Sequence, residues 1–315
     1  MSVPNLVVVP PPHLAEERGV SRAMRDVMLA MVPVTAVALY FFRLNSLLTV
    51  LIAIGAAAGT EVFVRNLKGL PHRLHDGSAV VTGWMLALCL PAATPWWLVV
   101  IAAFLAVGVA KELVGGLGWN IFNPALFGRA CLVLLAPLFV WLGVELHVTR
   151  FHFPAIDAVS MATPLAMAKQ GDLTLAPEVI NLFLAYPGGA IGETSALALL
   201  VGAAYLIYRK HISWRIPVTT MGTVFILTAL LGHHPLFHVL AGGLILGACF
   251  MATDWVTSPV TPVGQLIFGA AIGALVVVFR LFTGASEAVA FSILILNPLA
   301  PTIDWMTKPR RFGDR

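Results

Sequence analysis

The chain has 315 residues, 59% of them hydrophobic and 11% charged, with a formal net charge of +4. Ordinary soluble domains carry about 25% charged residues, and a mean hydropathy of +0.91 leaves too little polar surface to coat a soluble globule of this size. The composition excludes a soluble enzyme and a disordered chain, and points to an all-α integral membrane protein.

Residues 1–26 read as a cytoplasmic N-terminal segment. It carries Pro10, Pro11 and Pro12 with mixed charge and lacks the apolar run of a cleavable signal peptide. Residues 27–305 read as a single transmembrane domain. Runs near the roughly 20 apolar residues that a crossing needs fall at 27–43, 46–64, 78–92, 96–115, 124–144, 189–208, 216–232, 236–252, 263–281 and 286–303. The third and eighth are short and run into proline-bearing turns at 91–95 and 257–262. A polar loop, 145–188, separates the fifth span from the sixth, and a basic tail, 306–315, closes the chain.

Positive charge orients these spans. Arg18, Arg22, Arg25, Arg65, Lys68, Arg73, Arg209, Lys210, Arg215, Lys308, Arg310, Arg311 and Arg315 fall on one side of a ten-span chain. Only Arg43, Arg150, Lys169 and Arg280 fall on the other, with Lys111 and Arg129 at or inside span ends. Cytoplasmic loops carry the excess of Lys and Arg. Both termini are therefore expected in the cytoplasm of a bacterial inner membrane, with the 145–188 loop on the outer, periplasmic side.

A weak internal repeat relates 82–125 to 240–299. Each half has a glycine-containing apolar run, a Thr-Pro pair (Thr94-Pro95, Thr261-Pro262), a further span and an Asn-Pro pair (Asn123-Pro124, Asn297-Pro298). The two Thr-Pro pairs fall on opposite sides, as an inverted repeat with broken helices requires; transporters use such repeats to build a site near the midplane.

The cysteines, Cys89, Cys131 and Cys249, lie in apolar runs with no CxxC pattern. They read as small buried hydrophobes; an iron–sulfur centre would need a fourth ligand. His234 and His238 can share a helix face, but no carboxylate lies near them in sequence, and no metal site is expected. A soluble dinucleotide domain has no room in these loops, and no GxGxxG follows a strand.

The outer loop holds Asp157-Ala158-Val159-Ser160-Met161-Ala162-Thr163-Pro164-Leu165. A Ser/Thr-rich loop is ordinarily a solvated turn, in which Ser160 caps a helix. The pattern Asp-x-x-Ser-x-Ala-Thr, however, closely resembles the flavinylation site of the NqrB/RnfD family. Residues 115–130, with Gly115, Gly116, Gly118, Asn120, Asn123, Pro124, Ala125, Gly128, Arg129 and Ala130, are similar to that family's glycine-rich Asn-Pro-Ala segment. The same holds for Gly192-Glu193-Thr194-Ser195, for Ala252-Thr253-Asp254, and for Asn297, Pro301 and Asp304. The resemblance runs from about residue 25 to 305. Thr163 is followed by Pro164-Leu165, as in the RnfD branch, and the N-terminal segment is short. Met161 stands where the family has Gly.

The resemblance implies FMN joined through its phosphate to the Thr163 hydroxyl by a flavin transferase. Ala162 would keep the approach open, Pro164 would restrict the backbone at Thr163, and Asp157 and Ser160 would orient the motif. It further implies a non-covalent riboflavin in the transmembrane part, with Asn120, Asn123 and Arg129 as contacts, so that Asn123→Leu loses that flavin alone. An arginine fork suits phosphate oxygens; in the bland alternative Arg129 sits at a cytoplasmic helix end and snorkels to headgroups. Glu193 and Thr194 would lie beside the FMN, against the plain reading of Glu193 as an acidic residue in a helix's first turn. Asp254 reads as a loop cap. The function implied is an electron-transfer subunit of an Rnf-type complex linking ferredoxin and NAD chemistry to Na+ or H+ movement. Its partners would be the other Rnf subunits with their flavins and iron–sulfur centres, and membrane lipid, without nucleic acid. The alternatives are an NqrB-like subunit of a Na+-pumping quinone reductase and a flavin-free secondary transporter or channel.

Overall fold

The computed structural model describes residues 19–141, 165, 179–186, 188–283 and 287–309. These residues form helices and no strand. The motif residues Asp157, Ser160, Ala162 and Thr163 lie outside them.

Helix α1, Val20–Leu67, has 48 residues, about 72 Å if straight. It is not straight. Arg43 adopts φ 48 and ψ −127, a strained conformation for a residue with a Cβ. The Ser46 hydroxyl donates to the carbonyls of both Arg43 (2.9 Å) and Ala38 (3.4 Å), and eight residues of straight helix would separate Ser46 from Ala38 by about 12 Å. The chain therefore folds back at Arg43, between the two spans expected at 27–43 and 46–64.

The next helices are α2, Ser78–Cys89; α3, Trp96–Leu113, whose second half winds as a π-helix; and α4, Pro124–Trp141. Then come α5, Val179–Leu184; α6, Ala196–Tyr208; α7, Arg215–Leu230; and α8, Pro235–Leu240. Leu244–Leu246 continues through the π-turn Gly247–Met251 as α9. Pro262–Thr283 is α10. Ala288–Leu296 (α11) and Ala300–Thr307 (α12) are joined by a 3-10 turn at Asn297–Leu299. Helix lies at each of the ten expected spans. Four stretches, Val20–Leu67, Trp96–Leu113, Pro262–Thr283 and Ala288–Thr307, are long and apolar enough to cross a membrane.

In two expected spans the helix is too short to cross by itself. At 12 residues α2 is about 18 Å long, and the 244–251 stretch is shorter, against about 30 Å of hydrocarbon. They enter from opposite faces, and their tips meet where Cys89 Sγ lies 3.7 Å from Met251 Sδ. The two Asn-Pro pairs of the repeat meet there as well. With its amide oxygen turned to Asn123, Asn297 accepts from the Asn123 backbone N–H at 2.9 Å and donates to the Ile293 carbonyl at 3.0 Å. The sixth span also begins later than expected, at Ala196, because Ser195 caps the helix by accepting from the Ala198 N–H. Residues 188–193 instead fold over the tip of α2, where the Ile191 N–H donates to the Leu90 carbonyl at 2.9 Å.

Small residues let the backbones approach. A Cβ on Gly202 would lie 2.2 Å from the Ala30 carbonyl oxygen, and one on Gly128 would lie 2.5 Å from that of Ala102. Bare backbone at such crossings is the packing device of membrane helices. One face carries both described ends of the chain and is called the terminal face below. There Asp26 of α1 accepts from Tyr205, Arg209 and His211, and Asp304 of α12 accepts from the Val260 and Thr261 N–H groups.

Candidate functional site

The two half-helices leave a cavity on each side of their junction. On the terminal face the cavity is partly open and holds about 90 Å³ of accessible space. Its walls include Met24, Val27, Val81, Met85, Phe250 and Trp255. Its polar groups are Ser78, Thr82, Lys111, Asn120, Asn123, His211, Thr253 and Asp254. Asn120 donates to the Phe122 carbonyl at 3.2 Å. Asp254 sits in the turn after α9 and accepts from the Thr257 hydroxyl at 3.1 Å. Burial pushes its carboxyl above the usual range, while bonds from Thr257, Val256, Asn120 and Trp255 pull the other way. The cap expected of Asp254 is therefore present, and it also lines the cavity.

Asn123 is used up by the scaffold. Its Nδ2 donates to the Met251 carbonyl at 3.2 Å, and its Oδ1 accepts from the Leu126 N–H at 3.2 Å. It caps α4 and at the same time ties that helix to the tip of α9. At the floor of the same cavity Lys111 donates to Glu61 Oε2 and to Ser78 Oγ, each at 2.7 Å. Beside it Arg65 pairs with Glu112 at 3.2 Å.

On the opposite face the second cavity holds about 50 Å³ and is lined by Cys89, Leu126, Arg129, Glu193, Gly242, Gly243, Met251 and Glu287, among others. Arg129 pairs there with Glu287, both side chains mostly buried. Arg280, at 3% exposure, donates to the carbonyls of His238, Ala241 and Gly242. The Glu193 carboxylate rests against two glycines of positive φ: a Cβ on Gly189 would lie 2.4 Å from Oε2, and one on Gly243 would lie 3.0 Å from Oε1. Leu165 reaches this rim. It packs with Leu182, Phe237 and Ala241, and its Cδ1 fills the space where a Cβ of Gly242 would stand.

The expected contacts thus divide. Asn120 and Asn123 face the terminal-side cavity, and Arg129 and Glu193 the opposite one. Arg129 does not snorkel toward the terminal face, because its helix carries it past the junction to Glu287. Glu193 is not in the first turn of α6, which holds no acidic residue. Thr194 faces neither cavity; it is fully buried, and its hydroxyl closes a turn on the Ile191 carbonyl at 3.1 Å. Sequence reasoning missed Glu61, Lys111, Arg280 and Glu287. The signal that could have found them was their charge inside apolar runs, since such groups face protein and pair.

The profile of the NQR2, RnfD, RnfE family matches residues 7–313. The chain belongs to that family. It is 41% identical over 312 residues to the D component of the Na+-translocating ferredoxin:NAD+ oxidoreductase complex of Acetobacterium woodii, covering 98% of this chain and 96% of the relative. It is equally identical over 319 residues to the D component of the proton-translocating ferredoxin:NAD+ oxidoreductase complex of Clostridium ljungdahlii, covering 96% and 95%. The D component of the ion-translocating oxidoreductase complex of Escherichia coli is 35% identical over 345 residues, covering 96% and 97%. The likeness to these D components over nearly the full chain places it on the RnfD side of the family. The apolar helices and the family together make it a multi-pass membrane protein of bacteria.

Proposed function

We propose that this chain is the membrane-embedded RnfD component of an Rnf-type electron-transport complex, working beside the flavin and iron–sulfur subunits of that complex. In this reading FMN is held as a phosphoester on Thr163 by a flavin transferase, and a second, non-covalent flavin occupies the terminal-side cavity. The observation that carries the reading is Leu165 seated on Gly242 at the rim of the second cavity. Thr163 stands two positions before Leu165 in the sequence. The terminal-side cavity supports the second flavin by its apolar walls and its convergent polar groups. The charge bias supports a cytoplasmic terminal face and a periplasmic flavin loop.

A bound flavin supplies the redox chemistry, and the protein supplies placement and electrostatics. Met24, Met85, Phe250 and Trp255 would sandwich a flat ring, and Asn120, Asp254 and Thr253 would hold its polar edge. Cys89, Leu126 and Met251 line the second cavity at the junction. A flavin-free transporter is the second reading, favoured by the two half-helices that meet at the junction.

One gel separates them. In a strain expressing the transferase, the denatured wild-type band is expected to fluoresce under ultraviolet light, and Thr163→Val is expected to be dark. A dark wild-type band, with the transferase active on another substrate, overturns the flavin reading in favour of the transporter.

A further inference from the structure

Among the described residues no Asp or Glu is exposed; each is buried or half-buried. The exposed charge of the terminal face is therefore carried by Arg and Lys alone. Two of these cations begin an ordered surface. Arg22 and Arg25 stand at the start of α1, and with Leu29 and Val32 they fall at i, i+3, i+7 and i+10, along one stripe of the helix. All four are exposed, Leu29 at 57% and Val32 at 47%. The stripe thus runs from two guanidinium groups onto bare apolar surface about 10–15 Å further along the helix, in a stretch apolar enough to cross a membrane.

We propose that this stripe binds one anionic phospholipid, its phosphate held by Arg22 and Arg25 with Arg209 at the edge, and its acyl chains laid along Leu29 and Val32.

The guanidinium fork matches phosphate oxygens, and the donors are available. Among the described residues neither Arg22 nor Arg25 is paired with a carboxylate. Arg25 spends only Nε, on the Ser21 carbonyl at 3.3 Å. Arg209 spends Nε and Nη2 on Asp26, one turn after Arg22, which leaves Nη1 over. The state of Asp26 also selects the headgroup. It is 5% exposed and accepts from Tyr205, Arg209 and His211. The ammonium of a zwitterionic lipid would meet cations here and no free carboxylate, whereas an anionic headgroup brings only charge that the arginines neutralise. The apolar continuation of the stripe selects a lipid over free phosphate or an acidic soluble protein, since neither of those covers Leu29 and Val32.

The test is native mass spectrometry of the purified full chain, delipidated in detergent and titrated with phosphatidylglycerol or phosphatidylcholine. Wild type is expected to bind one phosphatidylglycerol in preference to phosphatidylcholine. An arginine at an anionic headgroup is worth about fivefold in affinity, so Arg22→Gln with Arg25→Gln is expected to weaken phosphatidylglycerol about 30-fold. Lys68→Gln with Lys308→Gln removes the same charge from the same face and is expected to leave that affinity unchanged. Equal weakening by the two double variants means that the face attracts lipid by its total charge and overturns the site. Equal binding of the two lipids by wild type overturns it as well, and displacement of phosphatidylglycerol by inorganic phosphate shows a free-anion site instead of a lipid site. Should the arginine variant not fold, a photoactivatable phosphatidylglycerol on wild type decides: labelling within 20–36 supports the stripe, and labelling confined to other segments overturns it.

Discussion

Replacing Lys111 by Met is expected to destabilise the protein by about 3–5 kcal/mol, the usual result of breaking a buried ion pair from one side. Lys111 and Glu61 are 2% and 1% exposed, and their charged atoms lie 2.7 Å apart. Glu61 Oε1 has no partner even in the intact protein, so losing Lys111 leaves the whole carboxylate bare. Ser78 loses the same donor, although its own hydroxyl still donates to Asp76 at 2.6 Å. Removing both charges tests the mechanism. Lys111→Met with Glu61→Leu is expected to recover most of the loss, because a well-packed apolar pair of similar volume is often as stable as the ion pair that it replaces. Thermal unfolding in detergent, followed by tryptophan fluorescence, measures all three. If the double variant is as unstable as the sum of both single ones, the pair is not coupled and the account is wrong.

That pair also marks the limit of what the chain discloses before it is folded. The reversal at Arg43, the shortness of the third and eighth spans, and the echo between the Asn-Pro pairs were legible, because each depends on local apolar length or on a proline. The partners of the interior charges were not. Lys111 finds Glu61 fifty residues back, and Arg129 finds Glu287 across 158 residues; hydropathy does not encode either choice. Arg129 illustrates the difficulty. Its position five residues into a predicted span suggested a membrane-surface arginine. Yet α4 starts at the buried junction with Met251, and the same five residues carry Arg129 into the opposite cavity. Glu193 was displaced for a different reason. Ser195 was present as a better cap, which left the carboxylate free to enter the glycine cradle. The motif around Thr163 was readable only as a pattern, and of its residues the structure describes Leu165 alone.

Asn123→Leu follows from the same junction and has a different expected outcome from the one that the sequence suggests. A residue that only touched a flavin would lose the flavin and spare the fold. Asn123 is 3% exposed, and both ends of its amide are engaged, one on the Met251 carbonyl and the other on the Leu126 N–H. Leucine fits neither bond. The Leu126 N–H is left bare, and a buried group left bare costs about 1–3 kcal/mol, so the variant is expected to lose at least about that much. The Met251 carbonyl loses its shorter bond and keeps only the 3.4 Å one from the Asp254 N–H. The loosened tip of α9 then moves both walls that it serves, Phe250 and Thr253 on one side and Met251 on the other. Unfolding temperature and non-covalent flavin content are therefore expected to fall together, while the covalent band on a denaturing gel keeps its fluorescence. Asn297→Leu leaves the Asn123 N–H bare in the same place and is expected to lower both in the same direction. Loss of the non-covalent flavin at unchanged unfolding temperature would mean that Asn123 acts on the ligand directly, and that the junction of the two half-helices is held by the apolar packing of Cys89, Leu126 and Met251 instead.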